Sequence, residues 1–280
     1  MMKRIAGLRE IADQFDLFLV DQYGVLHDGL APYPGAIDGL ARLRSCGRKA
    51  VVLTNSGKGS AANLARLGTL GFADSSLDAV VSSGEVALRN VKNGILGRRF
   101  AQGADICVIG RLGDSYAFSS DDFTLVARPQ DAAFLVFAGS DAPHTSLDTY
   151  RAMLTAAART RVPAICINPD VTMVRDGELM PAPGAIARIY EGLGGPVEYI
   201  GKPYSAIFDH AVATAAVGQG ARIVMIGDSP EHDVAGAKAM GLRTLLVRTG
   251  IHRHMTEEQL LRFCEEHNGA PDFLVATFEW

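Results

Sequence analysis

Residues 17–26 read Leu-Phe-Leu-Val-Asp-Gln-Tyr-Gly-Val-Leu, and the aspartate at 21 decides how the chain is read. Four apolar residues deliver a carboxylate, and a glycine follows at 24. A fully buried parallel strand presents a polar group at its C-terminal end in this way. Such strand ends are where open α/β sheets bind ligands and do chemistry. An unpaired carboxylate there is costly, so Asp21 needs a cation or hydrogen-bond donors.

On either side, short apolar runs alternate with amphipathic stretches. The runs at 17–22, 49–54, 78–82, 105–109, 132–138, 163–168, 197–200, 222–227, 243–248 and 272–276 predict strands. The stretches at 35–46, 59–70, 84–92, 146–160, 184–193, 204–217, 231–240 and 256–267 predict helices. Strands separated by helices imply right-handed βαβ units and a mostly parallel sheet, an α/β protein. Pro34-Gly35 opens the first helix and Gly47 closes it, as helix ends prefer. The alternation weakens at 93–130, punctuated by Gly94, Gly97, Gly103 and Gly113, and Gly192, Gly194, Gly195 and Pro196 mark a return. The expectation is a core built from residues 1–89 and 197–280, with an inserted α/β unit at 90–196.

Composition narrows the function. Hydrophobic content of 48% with 21% charged residues describes a globular protein with ample core. A net charge of −4 gives no electrostatic case for nucleic acid or for an anionic membrane surface. The four cysteines, Cys46, Cys107, Cys166 and Cys264, are scattered and suggest neither a zinc site nor a disulfide framework. The N-terminal stretch lacks an apolar signal core, and no run reaches the length of a membrane span, so cytoplasm is the expected location.

Four segments share the pattern of an apolar run ending in polar residues. They are Asp21-Gln-Tyr-Gly, Val51-Val-Leu-Thr54-Asn55-Ser56-Gly57, Tyr199-Ile-Gly201-Lys202-Pro203 and Ile223-Val-Met-Ile-Gly227-Asp228-Ser-Pro-Glu-His-Asp233. If their strands lie parallel in one sheet, the ends converge on one edge. That edge then holds carboxylates, a hydroxyl with neighbouring backbone N–H groups, and an ammonium, which together suit a metal-bound phosphate. Asp21 and Asp228 supply the hard oxygens that Mg²⁺ prefers. Thr54 and the amides after it can cradle phosphate oxygens. Lys202 offsets the charge of phosphate and nucleophile. Asp233, one turn into the following helix, can orient metal waters or pair with Lys202.

This ordered set resembles the haloacid dehalogenase superfamily of hydrolases. Leu53-Thr-Asn-Ser, Val80-Val-Ser-Ser83, Asn168-Pro-Asp170 and Gly201-Lys-Pro203 make it similar to the class IIA branch, which holds p-nitrophenyl-phosphatase-like, N-acetylglucosamine-phosphate-phosphatase-like and pyridoxal-phosphate-phosphatase-like proteins. The resemblance implies a Rossmann-like parallel-sheet core with an inserted α/β cap domain. It also implies roles: Asp21 as nucleophile and Mg²⁺ ligand, Thr54 and Asn55 at the phosphate, Lys202 as charge clamp, and Asp228 and Asp233 at the metal. A small phosphorylated metabolite is the expected substrate. A homo-oligomer formed through the cap is compatible with the insertion.

Tyr23 departs from that pattern. Phosphatases of the family carry a second Asp two residues after the nucleophile, whose carboxyl protonates the leaving group and then activates water. A phenol, with an ordinary pKa of about 10, is a poor general base at neutral pH. The resemblance still leaves the backbone carbonyl of Tyr23 as a Mg²⁺ ligand, which any side chain permits. Asp-x-Tyr-Gly also resembles the haloacid dehalogenases proper, which attack carbon without a metal and lack the metal-binding Asp of the last motif. Asp228 favours phosphorus chemistry. The remaining readings are a C–halogen hydrolase and a metal- or phosphate-binding protein with little turnover. Replacement acids are sought at His27, Asp28, Glu231 and His232, although His27-Asp28 also reads as a polar turn before Gly29.

Within the cap, 141–146 and Asn168-Pro-Asp170-Val-Thr-Met173 are the candidate substrate loops. Asn168 and Asp170 follow an apolar run, and His144 lies in a loop that Ser146 closes as a helix N-cap. Thr256 and Gln259 form a candidate capping box at the start of a solvated C-terminal helix.

Overall fold

The strand Leu17–Asp21 is buried at all five positions, as its apolar run predicts. It lies inside a seven-stranded sheet whose spatial order is Lys3–Arg4, Phe273–Val275, Arg243–Val247, Ile223–Gly227, Leu17–Asp21, Lys49–Thr54 and Ala79–Ser82. Leu17–Asp21 pairs in parallel with Lys49–Thr54 on one side and with Ile223–Gly227 on the other. The chain leaves this strand toward one edge and later returns to build the other. The strand order therefore reverses between Leu17–Asp21 and Ile223–Gly227, and ligands of open α/β sheets bind at such a switch point. Asp21 and Asp228 stand at the two strand ends that flank it.

The structure, a computed structural model, describes every residue except Met1, Ser120, Pro143, Asp176 and Asn268. The chain forms two compact units. The first comprises Met1–Thr54, Ala61–Val81 and Lys202–Trp280, and the second comprises Asn55–Ser60 and Ser82–Gly201. The second takes in more of the chain than the 90–196 read from glycine punctuation. It adds the helix Ser83–Lys92, because the Ser83 hydroxyl donates to the carbonyls of Ser56 and Ile167, and the Gly84 N–H donates to Ser56. Those bonds also carry the 55–60 loop into that unit.

Phe18, Val20, Val52, Ile226 and Leu245 form the core of the first unit with Leu40 and Leu43 of the helix Ala36–Ser45. Each such fully buried aliphatic or aromatic side chain contributes roughly 1.5–3 kcal/mol. The second unit holds a five-stranded sheet in the order Val197–Tyr199, Ala164–Cys166, Phe134–Phe137, Asp105–Ile109 and Thr124–Leu125. Leu135 and Phe137 pack there against Leu154, Ile186 and Tyr190 from the helices Leu147–Arg159 and Pro183–Gly192. An antiparallel hairpin, Thr172–Arg175 with Glu178–Pro181, joins the same unit. Among the described residues, no helix is long and apolar enough to cross a membrane.

Both predicted caps form. The Ser146 hydroxyl accepts from the Thr149 N–H at 3.1 Å. Thr256 and Gln259 exchange their bonds reciprocally at 2.8 and 3.2 Å. Such a cap contributes about 1 kcal/mol. Within the loop at 141–146, Pro143 lies outside the described residues, and the His144 N–H donates to the Asp141 carbonyl at 2.8 Å.

Candidate active site

In the first unit, Asp21, Lys202, Asp228 and Asp233 come together, all buried. The Lys202 ammonium donates to Asp21 Oδ1 at 2.5 Å and to Asp233 Oδ1 at 2.7 Å. Among the described residues, one oxygen from each of Asp21, Asp228 and Asp233 lies within 4.8 Å of the others. Asp233 reaches this position through a wide π turn at Pro230–Val234, where the periodicity predicts a regular helix over 231–240. Its Oδ2 accepts from the Ser229 N–H at 3.1 Å, so the side chain folds back across the turn that carries it. Single π turns of this kind recur at functional sites. Both Asp233 oxygens are thus held by protein donors. That geometry matches pairing with Lys202, one of the two roles expected for this residue.

The electrostatics follow from burial. Burial pushes the Asp21 carboxyl up to about 7, against the pull of Lys202. Burial, and then the charges of Asp21 and Asp233, raise Asp228 well above the ordinary carboxylate range. Burial opposes the Lys202 ammonium, but the Asp21 and Asp233 charges outweigh it and hold its pKa above the usual lysine value. One ammonium among three carboxylates leaves the cluster short of positive charge. An all-oxygen donor set with that deficit suits a hard divalent cation.

Asp228 is held by a segment that sequence reading missed, Thr249–His252. The Ile251 N–H donates to Asp228 Oδ2 at 2.8 Å. Gly24 and Gly250, with φ of +86° and +75°, wall that oxygen so closely that a Cβ would come within 2.2 and 1.8 Å of it. The available signal was Arg248-Thr249-Gly250 at the end of another apolar run, the same pattern once more.

Thr54 is buried at the end of the strand next to Asp21, one residue beyond the Asp21–Leu53 pair. The division between units falls directly after it, and Asn55, Ser56, Asn168 and Asp170 belong to the second unit. There the Asn55 amide donates to Asp170 Oδ1 at 2.8 Å, and the Asp170 N–H donates to Asn168 Oδ1 at 3.1 Å. The Ser56 hydroxyl accepts from the Lys58 N–H at 3.2 Å. The structure therefore joins Asn168 to Asp170, and Asp170 to Asn55, by side-chain bonds.

Tyr23 is 49% exposed, with its ring edge-on to His27 at a centroid distance of 4.3 Å. His27 is buried, and Nδ1 accepts from the Gly29 N–H at 3.0 Å while the Gln22 amide lies 3.2 Å from Nε2. Asp28 Oδ1 accepts from the N–H groups of Leu30 and Ala31, both at 2.8 Å. His27-Asp28 is thus a polar turn. Glu231 faces His252 at 3.4 Å, and the His232 N–H donates to the Ser229 hydroxyl.

The turn carries a pH prediction. Burial, helped by the Arg66 charge and opposed by Asp28, pulls the His27 imidazole down to about 4. The unfolded imidazole titrates near 6.5, so folding keeps His27 neutral where the unfolded chain takes a proton. Stability from this group is complete above about pH 6.5 and is lost as pH falls toward 4. The stability difference between native protein and His27→Gln, read by urea unfolding, should shrink by about 3 kcal/mol between pH 7 and 4. A constant difference would show that burial leaves the folded imidazole taking its proton over the same range as the unfolded one.

Comparison with known proteins gives this geometry a family. Residues 18–124 match the haloacid dehalogenase-like hydrolases, and residues 199–279 match the HAD-hydrolase-like family. The chain belongs to the haloacid dehalogenase-like hydrolases. It is 28% identical over 246 residues to the D-glycerol 3-phosphate phosphatase of Mycobacterium tuberculosis, covering 88% of this chain and 66% of that protein. A glycerol phosphate phosphatase structure from that organism, in complex with magnesium, aligns with a TM-score of 0.71 at 25% identity, covering 95% of this chain and 77% of that one. Human chronophin is 28% identical over 286 residues, covering 98% of this chain and 94% of its own. A haloacid dehalogenase-like hydrolase from Brucella suis aligns with a TM-score of 0.80 at 26% identity, covering 98% and 99% of the two chains. These relatives place the chain in the class IIA branch, as a phosphatase-type hydrolase of the haloacid dehalogenase-like family.

Proposed function

We propose that this chain is a Mg²⁺-dependent phosphohydrolase that acts on a small phosphorylated metabolite through an aspartyl-phosphate at Asp21. The observation that carries the reading is the buried Lys202 ammonium bridging Asp21 and Asp233, with Asp228 in the same cluster. A carboxylate so held is oriented for attack and shielded from water. Asp21, Asp228 and the backbone carbonyl of Tyr23 are the groups that would hold Mg²⁺. When bound, the ion neutralises charge on the transferring phosphoryl group. Asp21 then attacks phosphorus with a carboxylate oxygen, and the leaving oxygen departs with the electron pair. Lys202 offsets the charge that gathers on the phosphoryl oxygens. Thr54 offers its hydroxyl to those oxygens. Water afterwards cleaves the acyl phosphate, which returns the Asp21 carboxylate and releases orthophosphate.

The substrate class follows the relatives, since one is named for D-glycerol 3-phosphate. The test is phosphate release from a panel of phosphorylated metabolites that includes glycerol 3-phosphate and acetyl phosphate. Turnover is expected to need Mg²⁺ and to stop in EDTA. Asp228→Ala is expected to raise the Mg²⁺ requirement at least about tenfold, because it removes a ligand from an all-oxygen set. Full activity in EDTA would overturn the metal assignment, and metal-free dechlorination of a 2-haloacid would favour carbon-directed attack by Asp21.

A further inference from the structure

Thr249 stands at the start of the short helical turn Gly250–His252, where a threonine ordinarily caps the turn with its own hydroxyl. It does not do so here. The hydroxyl instead donates to the carbonyl of Gly24 at 2.5 Å, across 225 residues of sequence. Gly24 ends the Asp21-Gln22-Tyr23-Gly24 segment, so this bond fixes the loop that follows the nucleophile. The same few residues grip Asp228, because the Ile251 N–H occupies Oδ2 and the Gly250 backbone presses against that carboxylate. Oδ1 is then the oxygen left to face a cation. A further hydrogen bond and a further close approach flank these contacts. The Gly250 N–H donates to the Tyr33 hydroxyl at 3.3 Å, and His252 Nε2 lies 3.4 Å from Glu231 Oε2 on the turn that bears Asp233.

We propose that Thr249 is a positioning residue for the cation site, holding the Tyr23–Gly24 backbone in register with Asp228. A bond between a side chain and a distant carbonyl costs ordering entropy and forgoes the local cap, so its gain lies in what it aligns. It joins the loop that would supply the Tyr23 carbonyl to the strap whose Ile251 N–H holds the Asp228 carboxylate. Without the hydroxyl, the Gly24 carbonyl loses its donor, and the loop and the strap no longer share a fixed spacing. The inference rests on the Mg²⁺ reading above.

Thr249→Val removes the hydroxyl and keeps the shape, whereas Thr249→Ser keeps the hydroxyl. Mg²⁺ titrated by calorimetry into EDTA-stripped, dialysed protein gives Kd, and melting in EDTA gives metal-free stability. Thr249→Val is expected to raise the Mg²⁺ Kd about tenfold, the size of one lost hydrogen bond, with Thr249→Ser within about threefold of native. A purely structural role would lower the metal-free melting temperature and leave Kd where it was, which would overturn the inference. So would a Thr249→Ser protein as weak as Thr249→Val. Thr249→Ala serves the same comparison if the valine variant does not fold. Native protein that binds no Mg²⁺ would bring down the metal reading itself, whereas native binding that Thr249→Val leaves unchanged would bring down this inference alone.

Discussion

Asp21→Asn is expected to cut Mg²⁺-dependent phosphate release by at least about 10⁴-fold while the chain folds as before. The amide is no nucleophile toward phosphorus, and it lacks the charge that holds a cation, so one substitution removes both functions. Folding survives for a reason visible in the site. Burial already disfavours the Asp21 carboxylate, and Lys202 keeps a second partner in Asp233 at 2.7 Å. The asparagine oxygen can still accept from Lys202, so no buried ammonium is stranded. Metal-free melting temperatures of the two proteins should therefore lie close together, and the measurement that decides is phosphate release at saturating Mg²⁺. A folded Asp21→Asn protein that keeps Mg²⁺-dependent turnover would end the aspartyl-phosphate mechanism. Activity that grows slowly on storage would not, because deamidation regenerates the aspartate.

What the sequence revealed of this site depended on which atoms carry it. Asp21 and Asp228 were legible because an apolar run that stops at a carboxylate has few explanations other than a strand end. Lys202 and Asp233 were legible because Gly-Lys-Pro and the spacing after Asp228 placed charges at the same edge. The strap at Thr249–His252 was not, since it acts through the Ile251 N–H, which leaves no residue-type signature, and its one sequence signal, Thr249-Gly250 after an apolar run, carries no carboxylate or ammonium. The fold shows the same divide. Long apolar strands such as Ile223–Gly227 declared themselves, while the hairpin Thr172–Arg175 with Glu178–Pro181 escaped because its exposed and partly buried positions show no clean alternation. The π turn at Pro230–Val234 has a related cause, since a side chain reaching back to Ser229 overrode a helical period.

Tyr23→Asp is expected to raise the turnover of alkyl phosphates by about 10²- to 10⁴-fold, the ordinary worth of general acid–base help. The native side chain lies half-exposed against His27 and brings no carboxyl to the position. The nearby candidates are committed elsewhere in the fold. His27 takes the Gly29 N–H, Asp28 closes the turn at Leu30 and Ala31, and Asp233 spends both oxygens on Lys202 and Ser229. Without an assisting carboxyl, a leaving group that departs as a stable anion reacts readily, whereas an alkoxide waits for a proton. Native protein should thus favour acetyl phosphate over alkyl phosphates, and Tyr23→Asp should narrow the gap by accelerating the alkyl substrates. Water attack on the acyl phosphate at Asp21 lacks the same help, so rapid acid quench should trap that species in native protein and far less of it in the variant. The change should be tolerated, because a residue this exposed carries little of the core and its backbone carbonyl is unaltered. Rapid native turnover of an alkyl phosphate, with no gain in Tyr23→Asp, would mean that another group does this work. Glu231 and His232 would then be the first positions to replace.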